Sequence, residues 1–446
     1  MKNNILYLFL VLLTLGFSAC DQELNLEPYQ SISEDLALDN DNNVKAVLVG
    51  AYDALSAGAL LGGNSLRDAE LLGGDGEVLW VGTYLGPREV ANKQMTVTNN
   101  EAQELWLTAY NTINIANNVL AGLDVVAAAD KGWVEGEALF IRAISYFQLV
   151  RFYAKPYEAG QANAQPGVPV VLTPTRGISE DSKISRNTVA EVYNQIITDL
   201  TKAESLLPED NEWRAGKWSA AALLARVYLQ QSDYAKARDA ANRVIESGAY
   251  SLLKNYADVF NRDENSAEDI FAIQLTSQDG VNAMNTHFSI PDFGGRDGDV
   301  EILEGHLSLY APADKRLALF YDGNGAIRTG KWNNLYGNVN IIRLAEMYLI
   351  RAECNQRLGT SVGATALADY NIVHTRAGLP ALSSITLADI LLERRLELAH
   401  EGHKIHDLKR LKLSVGPLAY NADKLVFPIP QREINANPSL SQNTGY

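Results

Sequence analysis

The run His400-Glu401-Gly402-His403 is the nearest approach to a metal site in this chain, and His406 follows it at the same spacing. Zinc metalloproteases place two histidines four positions apart, so that both imidazoles reach one ion from the same face of a helix. Here consecutive histidines are three positions apart. The pattern fails, and we predict that these histidines bind no metal.

A second candidate for chemistry is a phosphate-binding loop. Segment 325–331 has the required spacing, with Gly325, Gly330 and Lys331 in the matching positions. The next position of such a loop carries a serine or threonine whose hydroxyl binds magnesium. In this chain that position is Trp332, so we predict no nucleotide binding.

No other catalytic pattern is present. The chain contains neither a nucleophile elbow nor a dinucleotide fingerprint, and no spacing pairs its carboxylates as acid and base. With 54 acidic and 38 basic residues, the net charge is −16. That balance argues against nucleic acid as a partner and against electrostatic attachment to anionic lipid. We predict a protein that is not an enzyme and uses no cofactor.

The first twenty residues have the pattern of an exported lipoprotein. Lys2 supplies a positive start, and segment 5–17 is an apolar run too short for a permanent membrane span. Small residues then lead directly to Cys20. We predict a signal peptide over residues 1–19 and lipidation of Cys20. An ordinary secretory signal, in which Cys20 is incidental, is the alternative.

In the rest of the chain, the apolar residues follow mainly a helical periodicity. Segment 137–153 is apolar nearly all round, as expected of a helix packed between neighbours. Thr188 and Glu191 form a capping box that predicts a helix start, and Pro208 ends that helix. The acidic run 39–43 lacks the glycine and distal glutamate of an EF-hand, so it predicts helix capping and not calcium binding.

A short pattern recurs in three of these helical segments. Alanine, two variable residues, tyrosine and a large apolar residue occur in Ala143–Phe147, Ala225–Leu229 and Ala345–Leu349. Small residues at such positions let two helices approach closely, as in tetratricopeptide pairs. The copies are unevenly spaced, so the pattern favours helix pairs separated by long insertions over a tandem array.

Two stretches, residues 58–92 and 276–340, interrupt the helical pattern. Both are rich in glycine, and the second is also rich in aspartate and asparagine. Both contain aromatic residues, which are scarce in disordered segments. Long irregular segments that are ordered are commonly functional, so we expect these two stretches to carry the binding site.

Taken in order, the motifs of the chain resemble those of the SusD/RagB family of outer-membrane nutrient-uptake lipoproteins. The resemblance covers essentially the whole chain, although each motif is weak alone. The matching segments are Gly136–Tyr153, Pro169-Val170, Arg186–Leu200, Arg343–Glu353, Tyr370-Asn371, Arg376–Leu379, Glu393–Leu398, Glu401-Gly402, Asp407–Arg410, Pro428–Pro430, Asn437-Pro438 and Gln442–Tyr446. Lys404 and Ile405 depart from the residues that are usual in the family.

The resemblance implies a mostly α fold, with tetratricopeptide-like helix pairs and a smaller, irregular, loop-rich part that binds ligand. It implies an N-terminal region over residues 20–210 and a C-terminal region over residues 211–446. It further implies a lipid-anchored protein exposed on the outer membrane. Such a protein captures a glycan or oligosaccharide for a SusC-like, TonB-dependent transporter.

Under this interpretation the charged residues in the apolar helices form bridges between helices and do not contact ligand, because an unpaired buried charge is costly. These residues are Arg142, Arg151, Glu353, Arg394, Arg395 and Glu397. Ligand capture belongs on the loops, where flat aromatics stack on the apolar faces of sugars and polar neighbours bond the hydroxyls. The predicted ligand-binding residues are Asn64, Arg67, Asp68, Trp80, Tyr84, Trp332, Asn333 and Tyr336.

Three alternatives remain open at this point. The protein could bind peptides with the same architecture, or it could be a structural lid of the transporter. It could also be a secreted hydrolase with a helical body.

Overall fold

The structure, a computed structural model, describes residues 38–177 and 180–446. The predicted signal peptide and Cys20 lie outside these residues. Within them helices predominate, and none combines the length and apolar content needed to cross a bilayer. In chain order the helices are α1 (Asp41–Ser56), α2 (Asn64–Gly73), α3 (Leu85–Ala91), α4 (Asn100–Ala121), α5 (Lys131–Tyr153), α6 (Val189–Leu206), α7 (Lys217–Gln230), α8 (Tyr234–Glu246), α9 (Ala283–Phe288), α10 (Glu304–Leu307), α11 (Leu344–Leu358), α12 (Ala366–Arg376), α13 (Leu387–Glu397), α14 (Lys404–Arg410) and α15 (Gln431–Ala436).

Six short strands form three two-stranded antiparallel sheets in the described residues. β1 pairs with β3, β2 with β6, and β4 with β5. The strands are β1 (Val78–Trp80), β2 (Asp269–Ile273), β3 (Val300–Ile302), β4 (Phe320–Gly323), β5 (Ala326–Thr329) and β6 (Val339–Arg343).

The segment with phosphate-loop spacing is a β-hairpin. Asn324 and Gly325 join β4 to β5, and both have positive φ angles, 54° and 76°. A two-residue turn of this kind requires positive φ at both positions, which asparagine and glycine tolerate best. Because residues 326–329 form strand β5, the segment is not a loop that could cradle a phosphate.

Helix pairs build the body, as the sequence pattern predicts. The three repeated motifs lie on α5, α7 and α11, which pack against α6, α8 and α12 respectively. α8 also packs against α11, so the second and third pairs are neighbours. α5 contacts α1, α4 and α6, and its residues from Gly136 to Tyr153 are buried on all sides.

Local signals set the helix boundaries. The Thr188 hydroxyl accepts the Glu191 amide while the Glu191 carboxylate accepts the Thr188 amide, which confirms the predicted capping box of α6. At the start of α1 the Asn40 side chain accepts the Asn43 amide at 3.0 Å. Each cap satisfies a backbone donor that the first turn of the helix leaves free.

A buried ion network joins the irregular part to the helical body. Arg343, at the end of β6, contacts Glu268 at 2.5 Å and Glu397 at 3.1 Å. It also holds Glu401 with two hydrogen bonds of 2.8 Å. Lys331, just after β5, reaches the same Glu401 at 2.6 Å. Since all these groups are nearly inaccessible to solvent, each charge depends on its partners.

Candidate functional site

The two irregular stretches meet and form one layer. The Ala283 amide donates to the Gly62 carbonyl at 3.0 Å, and the Val81 amide donates to the Asp299 carbonyl at 2.8 Å. β1 lies in the first stretch and β3 in the second, so their pairing joins the stretches as well. The expectation that both stretches are ordered is confirmed.

Arg67 is the centre of a buried polar cluster inside this layer. Its guanidinium donates to Asp68 at 2.7 and 2.9 Å, to Asn64 at 3.1 Å and to Glu101. Burial raises the pKa of Asp68 against the opposing charge of Arg67. The guanidinium also lies 5.7 Å from the ring of Trp80. Arg67, Asp68 and Trp80 are buried and Asn64 is half-buried, so this cluster supports the surface above it.

Tyr84 lies at the surface above that cluster and is 51% exposed. The guanidinium of Arg296 stacks on its ring, 3.9 Å from the centroid. Arg296 is itself held by Thr83 Oγ1 at 2.8 Å and by Asp299. His287 contacts the ring edge of Tyr84 and accepts or donates a 2.9 Å hydrogen bond with Asp299. Tyr84 is therefore an exposed ring with a fixed orientation.

Trp332 lies inside the layer and is 1% exposed. Its indole Nε1 donates to the His400 carbonyl at 2.9 Å, and its own carbonyl accepts Asn285 Nδ2 at 2.8 Å. A ligand cannot stack on a ring that is buried in this way. Trp80 is 7% exposed, so its ring is also too buried for a ligand to stack on it.

The loop that follows Trp332 returns to the surface. Asn333 is half-buried, and its Oδ1 accepts hydrogen bonds from Ser289 and Tyr321 at 2.8 and 3.2 Å. Tyr336 is 39% exposed. Phe293, which contacts the ring of Tyr321 at 5.6 Å, is 42% exposed.

Contacts of neighbouring side chains with the backbone place these exposed rings on the same layer. The carbonyls of Phe293 and Trp332 both accept Asn285 Nδ2, and Leu335 lies against Gly294. Arg296, three residues after Phe293, covers one face of Tyr84. We refer to Tyr84, Phe293 and Tyr336 as the exposed aromatic set.

The structure thus divides the residues predicted from the sequence into two groups. Tyr84 and Tyr336 present rings to solvent, with Asn64 and Asn333 partly accessible, whereas Arg67, Asp68, Trp80 and Trp332 are buried. Phe293 and Arg296 were not among the predicted site residues. Phe293 carries the same signal as the others, an aromatic residue in a glycine-rich stretch. Arg296 carries no sequence signal for its position over Tyr84.

The charged residues of the apolar helices were expected to form bridges between helices, and most of them do. Arg142 makes a bidentate pair with Asp199 at 2.8 Å, and Arg394 pairs with Glu346 and Asp407. Arg151 is one exception, because no carboxylate of the described residues lies within 4.0 Å of it. Arg395 is another, because its partner Glu77 lies in no helix. The remaining two residues are paired, Glu353 with Arg410 and Arg357, and Glu397 with Arg343, Arg316 and Arg376.

His400, His403 and His406 are buried. Burial lowers the pKa of His403 to about 3 and holds the pKa values of the other two well below the ordinary value. In residues 38–177 and 180–446, no group of three or more histidine, cysteine or acidic side chains is arranged to hold a metal ion. Cys354 is buried in α11 and forms no disulfide within the described residues.

Two cavities lie away from the exposed aromatic set. One, of about 530 Å³, lies between α2, α13 and α14 and contains the ion pairs of Glu77. The other, of about 330 Å³, lies between α1 and β2, beside the exposed Trp213.

Comparison with known proteins defines the class to which this architecture belongs. A family described as starch-binding and associating with the outer membrane matches residues 24–229, and the SusD family matches residues 320–416. The chain therefore belongs to the SusD/RagB family.

Individual relatives agree with this assignment. The SusD-like protein P38 of Formosa agariphila is 24% identical, with 99% of each chain covered. The starch-binding protein SusD of Bacteroides thetaiotaomicron is 26% identical over 70% of this chain and 72% of its own length. The crystal structure of a putative sugar-binding protein from Bacteroides vulgatus superposes with a TM-score of 0.82. It is 27% identical and covers 91% of this chain and 99% of its own.

Proposed function

We propose that this protein is a cell-surface lipoprotein that captures a glycan or oligosaccharide and delivers it to a TonB-dependent outer-membrane transporter. The observation that carries the proposal is the exposed aromatic set, three rings held by an ordered layer on the helical body. It is supported by family membership and by the starch-binding and sugar-binding descriptions of relatives.

The chemistry of the layer suits a sugar. A pyranose has apolar C–H faces and polar edges, so a ligand that lies on Tyr84, Phe293 and Tyr336 would bury its faces on the rings. Asn333 is half-buried beside them, and its Nδ2 makes no hydrogen bond to the described residues, so it can donate to a sugar hydroxyl. Arg296 stacks on one face of Tyr84 and holds that ring in place.

The expected affinity is modest. One aromatic stack contributes on the order of 1 kcal/mol, so two or three stacks correspond to dissociation constants on the order of micromolar to millimolar. Weak capture is sufficient for a protein held close to its transporter, because tethering raises the effective ligand concentration.

Attachment to the membrane follows from the proposed lipidation of Cys20. Each buried methylene contributes about 0.8 kcal/mol, and two acyl chains anchor stably where one is marginal. We therefore place the protein on the outer membrane by its lipid alone, with the folded body outside the bilayer.

Isothermal titration against a panel of oligosaccharides tests the binding step. We expect millimolar or tighter binding of at least one oligosaccharide. We expect a roughly five-fold or greater loss for Tyr84→Ala, Phe293→Ala or Tyr336→Ala, on the scale of one stacking contact. Trp213→Ala is the matched control, because Trp213 is 39% exposed but lies next to α1 on the helical body.

Two outcomes would contradict the proposal. Binding of peptides with no binding of any oligosaccharide would make the protein a peptide-capturing member of the family. Equal losses of affinity for Trp213→Ala and the three layer variants would show that the exposed aromatic set is not the binding site.

A further inference from the structure

Arg151, in α5, differs from every other buried arginine of the described residues. Ten arginines are buried, and nine of them have a carboxylate oxygen within 4.0 Å. Arg151 has none. The nine paired arginines are Arg67, Arg142, Arg226, Arg316, Arg328, Arg343, Arg351, Arg394 and Arg410.

The contacts that Arg151 does make are neutral. Its Nη2 donates to the side-chain oxygen of Gln148, and its guanidinium lies 4.2 Å from the ring centroid of Phe147. Its Nε has no hydrogen-bond acceptor among the described residues. Burial, together with the nearby charge of Arg226, lowers the pKa of Arg151 to about 9. Neither Gln148 nor Phe147 neutralises a full positive charge.

A second buried basic group without a contacting carboxylate lies beside it. Lys409, in α14, is 3% exposed, and its Nζ donates to the Arg151 carbonyl at 3.2 Å. No carboxylate of residues 38–177 or 180–446 lies within salt-bridge distance of this ammonium. Burial lowers the pKa of Lys409 to about 7, and the charges of Lys155 and Arg151 add to the effect. Among the described residues, neither Arg151 nor Lys409 therefore has a carboxylate in contact with it, and Glu346 and Asp407 act on Arg151 only from beyond salt-bridge distance.

A small cavity adjoins this region, with a volume of about 20 Å³. Arg151 and His406 both line it, and neither ring nitrogen of His406 makes a hydrogen bond within the described residues. One carboxylate, Glu401, belongs to the wall. Both of its oxygens are already held by Arg343 and Lys331, and it makes no ion pair with Arg151.

The size of the cavity and the local charge restrict what can occupy it. A single water needs a cavity volume of about 10–15 Å³. The cavity therefore has room for one water or one monoatomic ion, and it is too small for a sulfate or a carboxylate ligand. A water would satisfy a donor without cancelling charge. A monoatomic anion would accept the hydrogen bond and also cancel charge. Buried cations are strongly stabilised by a counter-charge.

We propose that the cavity beside Arg151 and His406 binds one monoatomic anion of chloride size. The anion accepts hydrogen bonds from the guanidinium of Arg151 and from a ring N–H of His406. Because Arg151 belongs to α5 and His406 to α14, the bound anion links the N-terminal helices to the C-terminal ones. This site is separate from the exposed aromatic set and does not depend on the proposed glycan binding.

Crystals grown with sodium bromide in place of sodium chloride test the site directly. We expect an anomalous bromide peak in the cavity, within hydrogen-bond distance of the Arg151 guanidinium. An ordered water there without anomalous signal, at a bromide concentration that labels surface sites, would overturn the proposal.

Thermal unfolding provides an independent test. At constant ionic strength we expect Tm to rise by a few degrees when chloride replaces gluconate, because a ligand that binds only the folded state stabilises it. Arg151→Met should abolish this dependence, whereas Lys202→Met, at an exposed ion pair with Glu135, should retain it. Equal chloride responses in wild type and Arg151→Met would refute the site. If Arg151→Met does not fold, the bromide experiment on the wild type still decides.

Discussion

The guanidinium of Arg343 and the carboxylate of Glu401 form a bidentate ion pair with two hydrogen bonds of 2.8 Å in the interior. Arg343 ends strand β6, and Glu401 lies between α13 and α14. Through Lys331, the same carboxylate also holds the segment that leads into Trp332. The pair therefore fixes the layer that carries the exposed aromatic set to the helical body.

Arg343→Met is expected to destabilise the fold by about 3–5 kcal/mol, since removing one partner leaves buried charge uncompensated. Three carboxylates, Glu268, Glu397 and Glu401, lose their shared cation. Denaturant unfolding measures the change. Arg243→Met, at the half-exposed pair with Glu204, is the control and should cost less than about 1 kcal/mol. Similar losses in the two variants would contradict a special role for the network.

The lowered pKa of Glu346 predicts that the protein loses stability in acid. Burial alone would raise its pKa, but Arg226, His403 and Arg394 outweigh burial and lower the pKa to about 2. A carboxyl with a depressed pKa in the folded state stabilises the fold above its ordinary pKa of about 4.5. That contribution is lost as the pH falls towards 2.

The contribution is on the order of 3 kcal/mol, and it should be visible as a steep fall in unfolding free energy between pH 4.5 and 2. Glu346→Gln should flatten that fall. Glu209→Gln, at a largely exposed pair with Lys217, should leave it unchanged. An equally steep fall in unfolding free energy between pH 4.5 and 2 in wild type and Glu346→Gln would disprove this role of Glu346.

Trp332 should act through stability and not through direct contact with ligand. Trp332→Ala is expected to cost about 3–5 kcal/mol, as for other large-to-small changes of buried aromatics. Trp332→Phe, which loses the hydrogen bond to the His400 carbonyl, should cost less and should keep glycan affinity within about two-fold. A large loss of affinity in a folded Trp332→Phe protein would show that the ring meets the ligand.

Much of the helical fold could be predicted from the sequence, because the signals are local. The capping box at Thr188 and Glu191 fixes the start of α6, and the apolar character of segment 137–153 predicts a helix packed on all sides. The expectation that Arg142 and Arg394 are paired follows from the cost of burying charge. It does not require knowledge of their partners. The division of the body near residue 210 stays a prediction.

The candidate site was harder to predict, because the exposure of a loop aromatic depends on distant contacts. Trp332 is buried by residues such as His400, 68 positions away, and no local pattern separates it from the exposed Tyr336. Composition located the two stretches that form the layer. It could not select Phe293 over Trp332, or place Arg296 on Tyr84.

Arg296 should orient Tyr84 for ligand. Its guanidinium lies 3.9 Å from the ring centroid, a cation–π contact that contributes about 0.5–1 kcal/mol at an exposed site. If that contact sets the angle of the ring, Arg296→Met should weaken oligosaccharide binding about two- to five-fold. Combined with Tyr84→Ala, it should add little, because contacting residues that act together are not additive. Titration calorimetry on the two single variants and the double variant measures the coupling. Fully additive losses would mean that Arg296 binds the ligand on its own account, independently of the ring it covers.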